Sequence, residues 1–407
     1  MTAASCKSVI HCYTAALLHC FMTLHVLGAG SIGLLYACSM RVARRKKFPV
    51  CLLLQPHHES KMRPAFNRPA DGGQLCDEDA IKGSNRKEGF VSVEMKDFCG
   101  KTSMQDIPSE IICTREENCK QDIRNILLVT KAPHAVQAIE SVIPRFRLHH
   151  TDKINLVIMT NGSMSVYDGV HKSLKQEGVR ENVNLLYAST THGAIRGDHK
   201  NDFSVTWTGV GETFLIDNDE KENSLSRELN DTWNEVGLRS SLLSPDQMYI
   251  LNWKKLATNC AINPLTAIKH CQNGDLLQKG IAVPSYEDTF NYSALAYDDP
   301  ILFYQLIREV SDLARAEAEI CSDAVVDIPL VRNELTYEKL TSFVENVVYQ
   351  TSRNKSSMLQ DIIAKRFPTE IVQLNGYVSM LGDRHDGLEV GANKYIVEEI
   401  KRLTNNY

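Results

Sequence analysis

Leu24-His-Val-Leu-Gly28-Ala-Gly30-Ser-Ile-Gly33 is a short apolar run that passes straight into the glycine pattern G-x-G-x-x-G. The helical run Leu34 to Ala43 follows at once. A strand, a glycine turn and a helix in that order are the setting in which this pattern binds a dinucleotide. Gly28 permits the tight turn, Gly30 lets the backbone approach a pyrophosphate, and Gly33 lets the helix pack closely on the strand. The phosphates then sit on the free N–H groups of the helix N-terminus. Taken alone, the same glycines also suit a plain turn. With their context they make Gly28, Ala29, Gly30, Ser31, Ile32 and Gly33 candidate cofactor residues.

Working outward, the next strand, Pro49 to Leu54, ends in Gln55, and no acid appears until Glu59. An NAD site commonly holds the ribose with a carboxylate near this point. Gln55, with Lys61 and Arg63 nearby, tolerates a 2′-phosphate instead, so NADP(H) is the expected cofactor. Ile126 to Thr130 is a buried-strand run that delivers Lys131 to a strand's carboxyl end, where open α/β sheets bind ligands. Ile154 to Met159 delivers Thr160, Asn161 and Gly162 to the same edge, and Asn184 to Ala188 leads to Thr190, Thr191 and His192. Any one of these tips suits a simple turn; their repetition predicts a lined crevice. Residues 64 to 122 read as peripheral strands and loops, with Phe90 to Met95 alternating like an exposed strand.

From Ser244 onward the periodicity is helical, as in the stripe Leu302, Leu306, Val310 and Leu313. Trp253-Lys-Lys-Leu-Ala-Thr-Asn-Cys-Ala-Ile-Asn-Pro-Leu-Thr-Ala-Ile268 carries Lys255, Asn259 and Asn263 at i, i+4 and i+8. They lie on one side of a helix, each about 40° round from the last. Leu256, Ala257, Cys260, Ala261 and Ile262 make the other faces apolar, which favours a buried helix whose polar groups need partners over a solvated face. Pro264 removes a donor and predicts a bend near Asn263. Further on, Ser356 and Ser357 suit a helix cap, and Glu370 suits an exposed first-turn carboxylate after Pro368.

At 407 residues, 43% hydrophobic and 23% charged, the chain has room for about two globular domains. We divide it into an extension, 1–21, an α/β Rossmann-type domain, 22–243, and an all-α domain, 244–407. The net charge of -5 argues against a nucleic-acid-binding protein. The basic run Arg41 to Lys47 complements the end of the first helix. Twelve cysteines without a Cys-x-x-Cys pair or zinc spacing predict reduced thiols and no metal site. The apolar leader, interrupted by His11 and His19, is shorter than a membrane span of ~20 residues. A cytoplasmic protein starting functionally at Met22 is the expectation, with mitochondrial targeting by residues 1–21 as the alternative.

The glycine loop, Asn161-Gly162, the Lys255 helix, Ser356-Ser-Met-Leu-Gln-Asp361 and Thr369-Glu370 with Asn375-Gly376 together resemble the ketopantoate 2-reductase family over residues 22 to 403. The resemblance implies a Rossmann-type domain followed by a helical domain like that of 6-phosphogluconate dehydrogenase, with the active site in the cleft between them. It implies NADPH-dependent reduction of ketopantoate to (R)-pantoate, a step toward pantothenate and coenzyme A, by a monomer or homodimer. Lys255 matches the family's catalytic lysine. Asn259, Asn263 and Asn273 match its substrate-side asparagines, Ser357 its substrate-contacting serine, and Glu370 the glutamate that binds the substrate hydroxyl. Asn161 matches the asparagine between cofactor and lysine. One residue more separates Ser357 from Glu370 than in the family pattern, and the 64–122 segment is longer. A reductase of another 2-oxo acid would keep Lys255 and the asparagines but not need Glu370. A non-catalytic NADP-binding sensor would need none of them.

Overall fold

The computed structural model describes residues 23–43, 49–64, 88–112, 123–146, 153–197, 203–217, 225–277, 282–288, 296, 300–320 and 327–405. The N-terminal extension, Met22, most of the basic run and the middle of the 64–122 segment lie outside the described residues. The side chains of Glu59 and Arg63 do as well. The contacts divide the chain into two compact units, one of residues up to Thr160 with Tyr167–Leu242, the other Asn161–Val166 with Leu243–Tyr407. The short piece Asn161–Val166 therefore packs with the second unit although it lies inside the first in sequence. Among the described residues no helix is long and apolar enough to cross a membrane.

The first unit is built on a 12-stranded sheet. Its strands are β1 (Leu24–Leu27), β2 (Val50–Leu54), β3 (Arg63–Pro64), β4 (Glu88–Lys96), β5 (Thr102–Ile111), β6 (Asn125–Leu128), β7 (Ile154–Ile158), β8 (Val183–Thr190), β9 (Gly193–Arg196), β10 (Ser204–Gly209), β11 (Thr213–Ile216) and β12 (Ser240–Leu243). At its centre the order β5-β2-β1-β6-β7-β8 is parallel throughout. Counted along the chain this is the doubly wound order 3-2-1-4-5-6, whose direction reverses between β1 and β6. Strands such as Asn-Ile-Leu-Leu, buried at every position, sit where a parallel sheet is covered on both faces. Helix α1 (Ser31–Arg41) follows β1, and α2 (Ala132–Glu140), α3 (Ser163–Gln176) and α4 (Leu225–Glu235) come later.

The 64–122 segment is not merely peripheral. β5 is the third strand of the parallel core, in register with β2 from Leu52 opposite Ser109 to Leu54 opposite Ile111. Its buried positions, Ile107, Ser109 and Ile111, share the strand with Gln, Asp, Pro and Glu, so the alternation is weak in the sequence. His192 is also not a crevice tip. It is buried, with one ring nitrogen 2.9 Å from the Leu238 carbonyl and the other accepting from Gly211 N–H, so it ties loops of this unit together.

The second unit is helical: α5 (Pro245–Lys269), α6 (Ile301–Ile320), α7 (Ile328–Glu334), α8 (Tyr337–Gln350), α9 (Ser357–Ile363), α10 (Asn375–Gly382) and α11 (Gly391–Asn405). Helix α5 starts at a capping box in which Ser244 and Gln247 satisfy each other's backbone N–H, with Pro245 at the first helical position. It packs against α6, α8, α9 and α11, burying Trp253, Leu256, Ala257, Cys260 and Ala261 in one core with Leu306, Val344 and Ile396. The helix does not end at Pro264. It runs on to Lys269 and stops where His270 turns left-handed at φ 51°.

Candidate active site

In the second unit Lys255 lines a small cavity with Gly162, Ser163, Met164, Asn252, Leu256, Asn259 and Gln373. The lysine stands on α5 between the core face and the surface, so its side chain is half-buried. Burial pulls its ammonium down from 10.5 to about 8, and the Glu370 carboxylate works in the opposite direction. A lysine brought this near neutrality can both carry charge and release a proton. Glu370 is 8% exposed and opens a short 3-10 turn, Glu370–Val372, so it is not the solvated carboxylate that its place after Pro368 suggests. Asn161 donates its side-chain N–H to Glu370 Oε2 at 3.3 Å.

One turn along α5 from Lys255, Asn259 has its Nδ2 buried with no partner among the described residues. Gln373, one turn on from Glu370, leaves its Oε1 in the same condition. The cavity thus holds a cation, a spare donor and a spare acceptor, and leaving such groups buried and unmatched costs about 1–3 kcal/mol each. Gly162 closes one side at φ +62°; a Cβ there would lie 3.0 Å from the Gln373 carbonyl oxygen. Ser163 donates to Asn252 Oδ1 at 3.4 Å. Asn252, Ser163 and Gln373 escaped the sequence reading. Asn252 was findable, since it stands three residues before Lys255 and extends the polar stripe backward. Gln373 carried only its one-turn spacing from Glu370.

Asn263 continues the stripe but does not line the cavity. Buried at 7% exposure, it donates to Ser357 Oγ at 3.4 Å, and Ser357 is exposed at the start of α9. Ser356 is the cap: its hydroxyl accepts from Leu359 N–H at 3.1 Å. Asn273 is not gathered with the others. It donates to Thr351 Oγ1 at 2.9 Å, and its backbone N–H donates to the Asn354 carbonyl, tying a 3-10 turn to the end of α8.

In the first unit, Gly28 stands at φ +126°, and a Cβ would lie 2.8 Å from Thr130 N at the tip of β6. Gly33 faces Gly28 so closely that a Cβ would fall 1.8 Å from its carbonyl oxygen. Ala29, Gly30, Ser31 and Ile32 make the turn between, and space beside Gly30 is open to 4 Å. The first turn of α1 has neither acid nor side-chain cap, so its N–H groups suit an anion. Lys131 is exposed and stands at the N-cap position of α2, without a side-chain capping bond, at the same sheet edge. This cradle fits a dinucleotide pyrophosphate.

One metal-capable group occurs among the described residues, His25, Cys51 and Glu110, whose ligand atoms lie within 4.8 Å of one another. Strand register alone brings it together, and Glu110 is already paired at 3.0 Å with the buried Arg145 guanidinium, a charge that opposes a divalent cation.

Comparison with known proteins places the chain beside one group of reductases. The family model described as the C terminal of ketopantoate reductase PanE/ApbA matches residues 249–290 and 298–404. The 2-dehydropantoate 2-reductase of Vibrio cholerae serotype O1 is 29% identical over 285 residues, 69% of this chain and 78% of that protein. The enzyme of that name from Bacillus subtilis (strain 168) is 27% identical over 72% of this chain and 80% of its own. Among solved structures, a PanE/ApbA family ketopantoate reductase from Ralstonia eutropha JMP134 has a TM-score of 0.62 at 17% identity, covering 95% of this chain and 99% of that one. A D-mandelate dehydrogenase solved with NADH and anilino(oxo)acetate has a TM-score of 0.61 at 16% identity with the same coverage. A doubly wound domain with a glycine cradle, followed by a helical domain with a half-buried lysine facing a cavity, defines a two-domain oxidoreductase. Its helical part matches the C-terminal model of the ketopantoate reductases, and the chain is similar to 2-dehydropantoate 2-reductases over more than two thirds of its length.

Proposed function

We propose that this protein reduces 2-dehydropantoate to (R)-pantoate with NADPH, and that Lys255 is its proton donor. The observation that carries the reading is the cavity in which Lys255, drawn down to about 8, lies beside the spare donor of Asn259 and under the influence of Glu370. The cofactor, when bound, supplies hydride to the substrate's C2 carbonyl carbon. Negative charge then develops on the carbonyl oxygen, and the Lys255 ammonium stabilises it and gives it a proton. Asn259 supplies an N–H to the same end of the substrate, and Asn263 with Ser357 holds the carboxylate. Glu370, kept in place by Asn161, accepts the hydrogen bond of the terminal hydroxyl. A buried carboxylate left unmatched by an analogue lacking that hydroxyl is the basis of selectivity.

The glycine cradle from Gly28 to Gly33, with Lys131 at the same edge, holds the dinucleotide. NADPH is preferred to NADH because exposed Gln55 follows β2 where an NAD site commonly has an acid, and Lys61 is exposed nearby. The test is NADPH oxidation followed by absorbance across a panel of 2-oxo acids. Ketopantoate is expected to be turned over best, and NADPH to bind more tightly than NADH in a nicotinamide fluorescence titration. Equal turnover of 2-oxo acids with and without a terminal hydroxyl would overturn the substrate; equal affinity for the two nucleotides would overturn the cofactor.

A further inference from the structure

We propose that Asn375 is a positioning residue for the substrate face of α5, acting through the carbonyl that Pro264 leaves without a helical donor. The inference rests on reading Asn259 and Asn263 as substrate-side groups. In an unbroken helix the N–H of residue 264 would bond the Cys260 carbonyl; proline has no N–H, and its ring crowds that oxygen. Cys260 is fully buried, so water does not replace the missing donor.

The replacement comes from another helix. Asn375, at the start of α10 and fully buried, donates Nδ2–H to the Cys260 oxygen at 3.0 Å. Its other Nδ2 proton goes to Asn393 Oδ1 at 2.9 Å, while its Oδ1 finds no partner among the described residues. A flipped amide would set oxygen against oxygen at Cys260, so the surroundings decide its orientation. Asn393 in turn donates to Glu309, a buried carboxylate on α6 that also accepts the backbone N–H groups of Ala392 and Asn393 in the first turn of α11. The break in α5 is thereby tied to α10, α11 and α6.

Asn375 follows Glu370 by five residues and Gln373 by two. Its bond to Cys260 therefore sets the offset between the Glu370 turn and the stretch of α5 that bears Asn259 and Asn263. Lys255 lies upstream of the break and keeps its place without it. Loss of Asn375 should accordingly weaken substrate binding more than proton transfer.

The experiment is a double-mutant cycle of Asn375→Leu and Pro264→Ala in the full chain. Asn375→Leu is expected to raise KM for ketopantoate by at least about tenfold, with a smaller change in kcat, because it strands a buried carbonyl. Pro264→Ala returns an N–H to that carbonyl, so in its background Asn375→Leu should change KM by less than about twofold, a coupling that independent sites lack. The same KM penalty in both backgrounds, or a loss confined to kcat, would overturn the proposal. Should Asn375→Leu fail to fold, recovery of soluble protein in the double variant supports it, and equal insolubility of the two overturns it. A wild-type chain inert toward ketopantoate refutes the functional reading instead. Denaturant unfolding of the same proteins then decides the inference, coupling supporting it and strict additivity overturning it.

Discussion

Helix α5 presents two adjacent lysines to two different surroundings. Lys254 reaches Glu334 Oε2 at 3.1 Å, and its ammonium lies 5.7 Å from the centre of the Phe343 ring. Its side chain is 20% exposed and its partner's 32%, so water still screens the pair. Lys255, about 100° round the helix, turns into the cavity of Asn252, Asn259 and Gln373, where burial draws it to about 8. Neither residue type nor sequence separation distinguishes them. The surroundings do: desolvation draws the Lys255 ammonium down to where it can act as an acid near neutral pH.

The strongest way to break that comparison is Lys255→Ala. We expect kcat to fall at least ~10²-fold, the size of a lost general acid, with NADPH affinity barely changed. Single-turnover rates and a cofactor titration on the same protein check both halves. Retained turnover would mean that burial of this lysine serves the core and not the reaction.

Both lysines, and the stripe Lys255–Asn259–Asn263, were legible because helical spacing is periodic and Leu256, Ala257, Cys260, Ala261 and Ile262 make the helix's other faces apolar. The glycine cradle was legible for a related reason: Gly28 and Gly33 are demanded by local backbone geometry, which sequence records directly. β5 was not, because a strand with Gln, Asp, Pro and Glu shows its buried alternation only over its last residues. Glu370 was placed through its motif alone; its burial depends on helices far away in sequence. The role of Gln373, the engagement of Asn273 with Thr351, and the answer of Asn375 to Pro264 are long-range pairings that no local pattern encodes.

A smaller effect is expected at Glu370, which acts on the Lys255 side of the comparison through the substrate. Glu370→Ala should lower kcat/KM for ketopantoate at least roughly tenfold more than for a 2-oxo acid without a terminal hydroxyl. A parallel decline on both substrates would make Glu370 a structural partner of Asn161 only.

The pH profile sharpens the contrast further. Because the folded Lys255 titrates near 8 and not at its usual 10.5, the ammonium needed for reduction is lost as pH rises through about 8. The rate of reduction should fall about threefold between pH 7.5 and 8.5. Over that window the unfolded chain binds more protons at this site than the folded one, so its contribution to stability rises with pH, and the decline is not unfolding. In Lys255→Arg, whose guanidinium stays charged, the decline should vanish whatever activity remains. A wild-type profile flat to pH 9.5 would remove Lys255 from the proton transfer.

The smallest effect belongs to Lys254→Ala. This variant removes a partly exposed ion pair and a cation–ring contact, interactions that together contribute on the order of 1 kcal/mol or less at such a site. Glu334 is not stranded by the change, since Lys339 also holds it at 2.9 Å. The melting temperature should therefore move by no more than about 2 °C. Turnover and KM should stay within about twofold of the wild type, because Lys254 neither lines the cavity nor touches its partners. If Lys254→Ala were instead inactive while Lys255→Ala turned over, both with native circular dichroism, the polar stripe of α5 would be out of register by one residue. The assignments of Asn259 and Asn263, which depend on the same spacing, would then have to move with it.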